Sequence, residues 1–399
     1  MKMLLAGLAV LGLAAATLPA TSASAHRSDR GQLITATSLR TLTTRADVAH
    51  ALTEAQFDPA PARYGVDTYQ LIYRTVDPEG RPTVASGLLA LPRNGARQLR
   101  TVSYAHGTEL NRLDAPSLTA DGWGVAPALT FASAGFAAVA PDYLGLGLGP
   151  GPHPFLDVPS ETTAGVDLLR AARAFVPRTG HELGRDVLVT GFSQGGSAAT
   201  GLAQALHGGA DDWFRLRALA PISGAYDVRG VELPALLDGT VAPPWNVGYT
   251  AYLMVSWNRL HHLYDDPAEV FDDQIADRVE GLYDGVHDGD DLGELLPMRL
   301  DQLYTRHGWK LLTEPSGPFA AALRVHDATC SGWRPGVPAR LLVSAGDEQV
   351  PTANAEHCAA SFRTVPVVDV GDLKYEGSIH LGSNIRGTAA AATWFASLR

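Results

Sequence analysis

Hydrophobic positions in this chain fall into short β-branched runs separated by stretches of helical spacing. YQLIYRTVD and PTVASGLLALP, parted by Pro78, Glu79 and Gly80, predict an opening hairpin. TVSYA, FAAVAPD and DVLVTG are continuous apolar runs, the pattern of parallel strands buried on both faces. SETTAGVDLLRAARAFV predicts a helix, opened by the capping-box-like stretch Ser160 to Thr163 with acidic Glu161. GGSAATGLAQAL predicts another, whose first turns carry only small side chains. FRLRALAPIS, ARLLVSAGD and TVPVVDV add three more strands. From about residue 63 the chain thus alternates strands with helices, and it predicts an α/β fold whose eight-stranded, mostly parallel sheet is covered on both faces.

Between Ser223 and about Cys330 the alternation stops, and VAPPWNVGYTAYLMVSWNRL has helical spacing with no core-type strand. Trp245, Tyr249, Tyr252 and Leu253 follow i, i+4, i+7, i+8 spacing if a helix begins after Pro243 and Pro244, and Trp257 lies one turn further. An insertion after the sixth strand lies above the carboxyl ends of the strands, where ligands bind in open α/β sheets. Residues 224–330 are therefore expected to form a helical cap, with the core in 63–223 and 331–399. Residues 26–62 form an N-terminal segment that is linker-like to about residue 45. The five aromatic and leucine side chains either line a substrate pocket or pack the cap's own core.

At 399 residues with 46% hydrophobic and 18% charged positions, the chain can bury a large core. The formal net charge of -11, with no basic cluster, argues against a nucleic-acid partner or an anionic membrane surface. MKMLLAGLAVLGLAAATLPATSASA combines Lys2, a short apolar run, Pro19 and Ala23-Ser24-Ala25, so residues 1–25 read as an export signal and the mature chain as a secreted protein starting near His26. No second segment is apolar enough to span a bilayer. Cys330 and Cys358 are the two cysteines, and in an oxidising compartment an isolated pair is expected to form a disulfide.

Chemistry enters at GFSQGG. Ser193 sits between Gly191 and Gly195, after a buried strand and before a small-residue helix, which is what a nucleophile elbow requires. A serine hydroxyl needs an imidazole to take its proton and a carboxylate to fix the imidazole tautomer. In this arrangement the order is Ser, acid, His. Asp347 ends the ARLLVSAGD strand, with Glu348 its neighbouring rival, whereas Asp369 and Asp372 follow the last strand and cap acids such as Asp265 and Asp288 have no strand to aim them. His380 occupies EGSIHLGSN, read as a loop before the final helix, while His357 reads as a surface or packing residue on the helix after Asp347. For the oxyanion hole the backbone N–H of Gln194 is one donor, and Thr108 supplies the second from His106-Gly107-Thr108, with Gly107 permitting close approach.

SYAHGT, APDYLGLG, GFSQGG, GDEQVP and the late histidine together resemble the secretory lipase family of α/β-hydrolases, found in fungi and actinobacteria. The resemblance spans roughly residue 60 to the C-terminus. It implies an α/β-hydrolase fold with a helical cap and a secreted lipase or esterase acting through an acyl-enzyme. The partner is then a small-molecule or lipid ester.

Other signals read as structural. DGVHDGDD at 284–291 lacks full EF-hand spacing and is expected to be a solvated loop; His261 and His262, followed by Asp265 and Asp266, are no metal set because adjacent histidines point to different helix faces; LGLGLGPG lacks the dinucleotide spacing. Neither cofactor nor metal is implied. Two rival functions stand beside the esterase: a secreted serine peptidase of aminopeptidase type on the same fold, and a non-catalytic binding protein.

Overall fold

The computed structural model describes residues 29–119 and 122–398. The expected export signal lies outside the described residues. A seven-stranded sheet runs in the order β1 (Leu33–Leu42), β2 (Val66–Val76), β3 (Pro82–Pro92), β5 (Ala137–Pro141), β4 (Gln98–Ala105), β6 (Glu182–Gly191), β7 (Arg215–Leu219). The pairs β1–β2, β2–β3 and β3–β5 are antiparallel, and β5–β4, β4–β6 and β6–β7 are parallel. Parallel bridges from Leu219 to Ala339 and from Ile222 to Leu342 carry the sheet on to a parallel pair, β8 (Leu341–Val343) and β9 (Val367–Asp369).

In chain order the main helices are α1 (Arg45–Glu54), α2 (Ala126–Ser133), α3 (Val158–Phe175), α4 (Gln194–His207), α5 (Trp245–His261), α6 (Gly317–Asp327), α7 (Ala353–Phe362) and α8 (Ile379–Ser397). The period-two alternation of the strands sorts their side chains to two cores. Leu89, Val139, Val187 and Val189 pack with α3, α4 and α7 on one face, and Leu88, Ala138, Ala140 and Leu188 pack with α1, α2 and α8 on the other.

Three expectations need correction. The linker-like stretch to residue 45 contains β1, whose alternation is masked because most of its side chains are exposed as an edge strand. There are thus nine strands among the described residues, not eight. The helix expected at Ser160 starts at Val158, because the Asp157 carboxylate accepts the Ser160 N–H at 3.1 Å and caps it.

Between Ser223 and Cys330 the described residues form helices, with one isolated bridge, Phe271 with Tyr304. These helices build their own core around Leu253, Trp257, Phe271, Phe319 and Leu323. Several contacts fasten the helical insertion to the core, three of them at Phe155: the Ser256 hydroxyl accepts the Phe155 N–H at 2.8 Å, Trp257 Nε1 donates to the Phe155 carbonyl at 2.9 Å, and the Tyr252 ring stacks on Phe155 at 4.2 Å. A disulfide joins Cys330, at the end of the insertion, to Cys358 on α7, as the cysteine pair leads one to expect. No helix among the described residues is long and apolar enough to cross a membrane.

Candidate active site

The turn between β6 and α4 holds Ser193 at φ 56 and ψ -120, a conformation L-residues rarely adopt. Its neighbours explain how that is tolerated. A Cβ on Gly191 would lie 2.1 Å from the Gly195 carbonyl oxygen, and one on Gly195 would lie 2.1 Å from that of Ala105. Both glycines are therefore steric requirements of the turn. The backbone is pinned by Ser193 N–H to the Ile222 carbonyl at 3.0 Å and Gly195 N–H to Phe192 at 2.7 Å.

Two neighbouring segments bring the acid and the imidazole. His380 Nε2 lies 2.8 Å from Ser193 Oγ, and its Nδ1 lies 2.8 and 3.0 Å from the two Asp347 oxygens. With Nδ1–H donating to Asp347, Nε2 is left to accept the serine proton. Burial raises the Asp347 carboxyl, but His380 and the N–H groups of Val350 and Gln349 outweigh it and hold the acid below its usual range. His380 is the second residue of α8, not part of a loop as its sequence setting implies.

Glu348 has another task. Its oxygens accept the Ser378 hydroxyl and, at 3.0 and 3.3 Å, the N–H groups of Ile379 and His380. It thus caps the first turn of the helix that carries the imidazole. Asp372 accepts the Gly346 N–H at 3.0 Å and Asp369 that of Gly371 at 2.8 Å. His357 is half exposed and lies 3.0 Å from Asp227. Asp265 pairs with His262 on the surface; the DGVHDGDD stretch is not loop throughout, because Asp288 caps a short helix, Gly289–Leu295, that begins within it.

After β4, His106, Gly107 and Thr108 run past the serine. A Cβ on Gly107 would meet the Phe192 ring at 2.9 Å, which explains the glycine there. The N–H groups of Gly107, Thr108 and Gln194 donate to no acceptor among the described residues. Donors of this kind are available to an oxygen that gains negative charge. Glu109 follows, and burial beside Asp114 lifts its carboxyl well above the usual range.

The insertion's side chains divide. Trp245 stacks on Tyr249 at 6.0 Å, and Tyr249 Oη donates to Gln349 Oε1 at 2.6 Å in the turn that bears Asp347. Tyr252 donates to the Glu109 carbonyl at 3.4 Å, so it lies where insertion and core meet. Leu253 and Trp257 are buried in the insertion's own core, Trp257 against Phe319.

Sequence reasoning missed a group behind the serine. Gln194 Nε2 lies 2.6 Å from Glu161 Oε1 and 2.8 Å from His153 Nε2, all three residues being buried. The available signals were slight: an acid in the first turn of an apolar helix and a histidine between two prolines.

The strand order and the sharp turn at Ser193 are those of the α/β-hydrolase class. The chain belongs to the Alpha/beta hydrolase family, whose model matches residues 104–382. Among solved structures it is similar to the rice cell wall degrading esterase LipA from Xanthomonas oryzae, with 27% identity and a TM-score of 0.81 over 92% of this chain and 98% of that one. A putative hydrolase from Legionella pneumophila gives 25% identity and a TM-score of 0.81, over 91% of this chain and 97% of that one. Candida antarctica lipase A in its closed state, at 17% identity and a TM-score of 0.59 over 87% of this chain and 78% of that one, shares the fold. No curated protein matches the sequence.

Proposed function

We propose that this protein is a secreted serine carboxylic-ester hydrolase of the secretory lipase type, with Ser193 as nucleophile, His380 as general base and acid, and Asp347 as the carboxylate that orients it. The observation that carries this is the unbroken hydrogen-bonded chain from Ser193 Oγ through His380 to Asp347. In the first step Ser193 Oγ attacks the ester carbonyl while its proton passes to His380 Nε2. The N–H of Gln194, with that of Thr108 or Gly107, receives the oxyanion. The alkoxide then leaves with the proton from His380, and water repeats the sequence on the acyl-enzyme.

Residues 224–330 act as a cap over this site, and residues 1–25 as the export signal. The LipA likeness supports ester cleavage as the reaction, and the disulfide suits an oxidising compartment. Parallel assays with p-nitrophenyl acyl esters and an aminoacyl p-nitroanilide test the reading. Turnover of the esters is expected; cleavage of the anilide alone overturns it in favour of a peptidase.

A further inference from the structure

The two walls of the candidate oxyanion hole come from different elements. Gln194 opens α4, and Gly107 and Thr108 follow β4. Turnover depends on holding their N–H groups at fixed separation, because a donor displaced by more than about 0.5 Å meets the developing charge poorly.

One buried network reaches both walls. On the Gln194 side, the carboxamide Nε2 spends its two N–H groups on Glu161 Oε1 at 2.6 Å and His153 Nε2 at 2.8 Å. His153 Nδ1 lies 2.9 Å from the Leu144 carbonyl, an acceptor only, so Nδ1 carries the proton and Nε2 is free to accept. On the other side the Tyr143 ring stacks on His153 at 5.7 Å and 14°, and Tyr143 Oη donates to the His106 carbonyl at 3.0 Å, one residue before Gly107. Tyr143 also packs on the His106 ring at 4.3 Å. Glu161, Gln194, His153, Tyr143 and His106 are all buried, so water competes for none of these bonds.

We propose that Glu161, His153 and Tyr143 are positioning residues that lock the Gln194 donor to the loop 106–108, acting on turnover without touching substrate. This rests on the hydrolase reading of Ser193. The protonation states suit the task. Burial lifts Glu161 to about 8, against the lowering effect of its Gln194 bond and with a further push from Asp157. Burial pushes His153 down to about 4. At neutral pH both are uncharged, so the clamp holds Gln194 without setting a net charge behind the site where the oxyanion forms.

The test compares Glu161→Leu, Glu161→Gln, Gln194→Ala and Tyr143→Phe with the wild type on one p-nitrophenyl ester. Glu161→Leu removes the acceptor, whereas Glu161→Gln keeps a carbonyl that can take the Gln194 N–H. The expected result is a kcat lowered about 10- to 100-fold in Glu161→Leu with KM nearly unchanged, and substantially restored in Glu161→Gln; outright loss of an oxyanion donor costs about 10²- to 10³-fold. Tyr143→Phe also lowers kcat. Glu161→Leu combined with Gln194→Ala loses no more than Gln194→Ala alone, because Gln194→Ala already cuts the link to Glu161.

Thermal melts identify any variant that fails to fold, and Tyr143→Phe, which deletes a single oxygen, stands in for it. Folded Glu161→Leu and Tyr143→Phe enzymes with wild-type kcat overturn the inference. So does a Glu161→Gln enzyme as impaired as Glu161→Leu, since that pattern marks packing alone. A wild type that cleaves none of the esters overturns the functional reading instead, and this inference with it.

Discussion

Asp347 and Glu348 are adjacent, both reach the neighbourhood of His380, and they separate by what each oxygen touches. Asp347 meets the imidazole Nδ1 at 2.8 Å, and Glu348 meets the backbone N–H groups of Ile379 and His380. Asp347→Asn should therefore lower kcat about 10⁴-fold through the wrong tautomer, with little change in melting. Glu348→Ala should cost about 1 kcal/mol of stability as a lost helix cap and lower kcat only modestly. Kinetics and thermal melts of the two variants settle the division; a folded Glu348→Ala enzyme as inactive as Asp347→Asn would hand the orienting role to Glu348. The placement of Asp347 beside His380 was legible in the sequence because a strand end aims it, and the sharp turn at Ser193 because two glycines bracket it. The cap role of Glu348 was not legible, since it depends on where α8 begins. Ser378, which accepts the Leu381 N–H at 3.2 Å, is the N-cap signal that marks that start.

Among the elements, α5 was readable from its prolines and apolar spacing, but the partners of its faces were not. Tyr249 meets the acid turn, while Trp257 is buried beside Phe319 and bonds Phe155. Spacing gives a stripe and does not say which neighbour covers it. Trp257→Ala should destabilise by about 3–5 kcal/mol, whereas Tyr249→Phe, which leaves the buried Gln349 Oε1 without its donor, should cost about 1–3 kcal/mol and alter turnover or substrate preference. Chemical denaturation with an acyl-chain-length profile checks both; a Trp257→Ala enzyme of unchanged stability with a shifted chain-length optimum would place that side chain in the substrate pocket. The disulfide belongs to this scale as well. It closes a separation of 28 residues between the insertion and α7, so reduction or Cys358→Ser should cost about 3–4 kcal/mol, read as a lower Tm. Strand β1 escaped notice because its polar positions face water on a sheet edge, where no core imposes the alternation.

For the whole molecule, buried groups away from Ser193, His380 and Asp347 contribute to the pH response, among them two histidines and two glutamates. Burial holds His106 and His153 at about 4 and lifts Glu161 and Glu232 to about 8. Between about 4 and 6.5 the unfolded chain binds histidine protons that the folded chain refuses, so stability rises with pH. Between 4.5 and 8 the folded chain keeps glutamate protons that the unfolded chain has lost, so stability falls as pH rises. The two effects offset each other up to 6.5 and leave a net fall from there to about 8. Urea midpoints should accordingly be lower at the alkaline end of that window, and a midpoint that rises across it would show that these carboxyls are ionised in the folded protein. None of this was legible in the sequence, because burial of a lone acid or histidine is a property of the packed structure.

In the proposed reaction Ser193, activated through His380, attacks an ester carbonyl. Reaction of the folded enzyme with a fluorophosphonate, followed by peptide mass spectrometry, tests it most directly. One adduct per chain is expected, on Ser193, forming in step with loss of ester hydrolysis and absent from His380→Ala. An enzyme that keeps full esterase activity with Ser193 unmodified, or that carries its adduct on another residue, would contradict it.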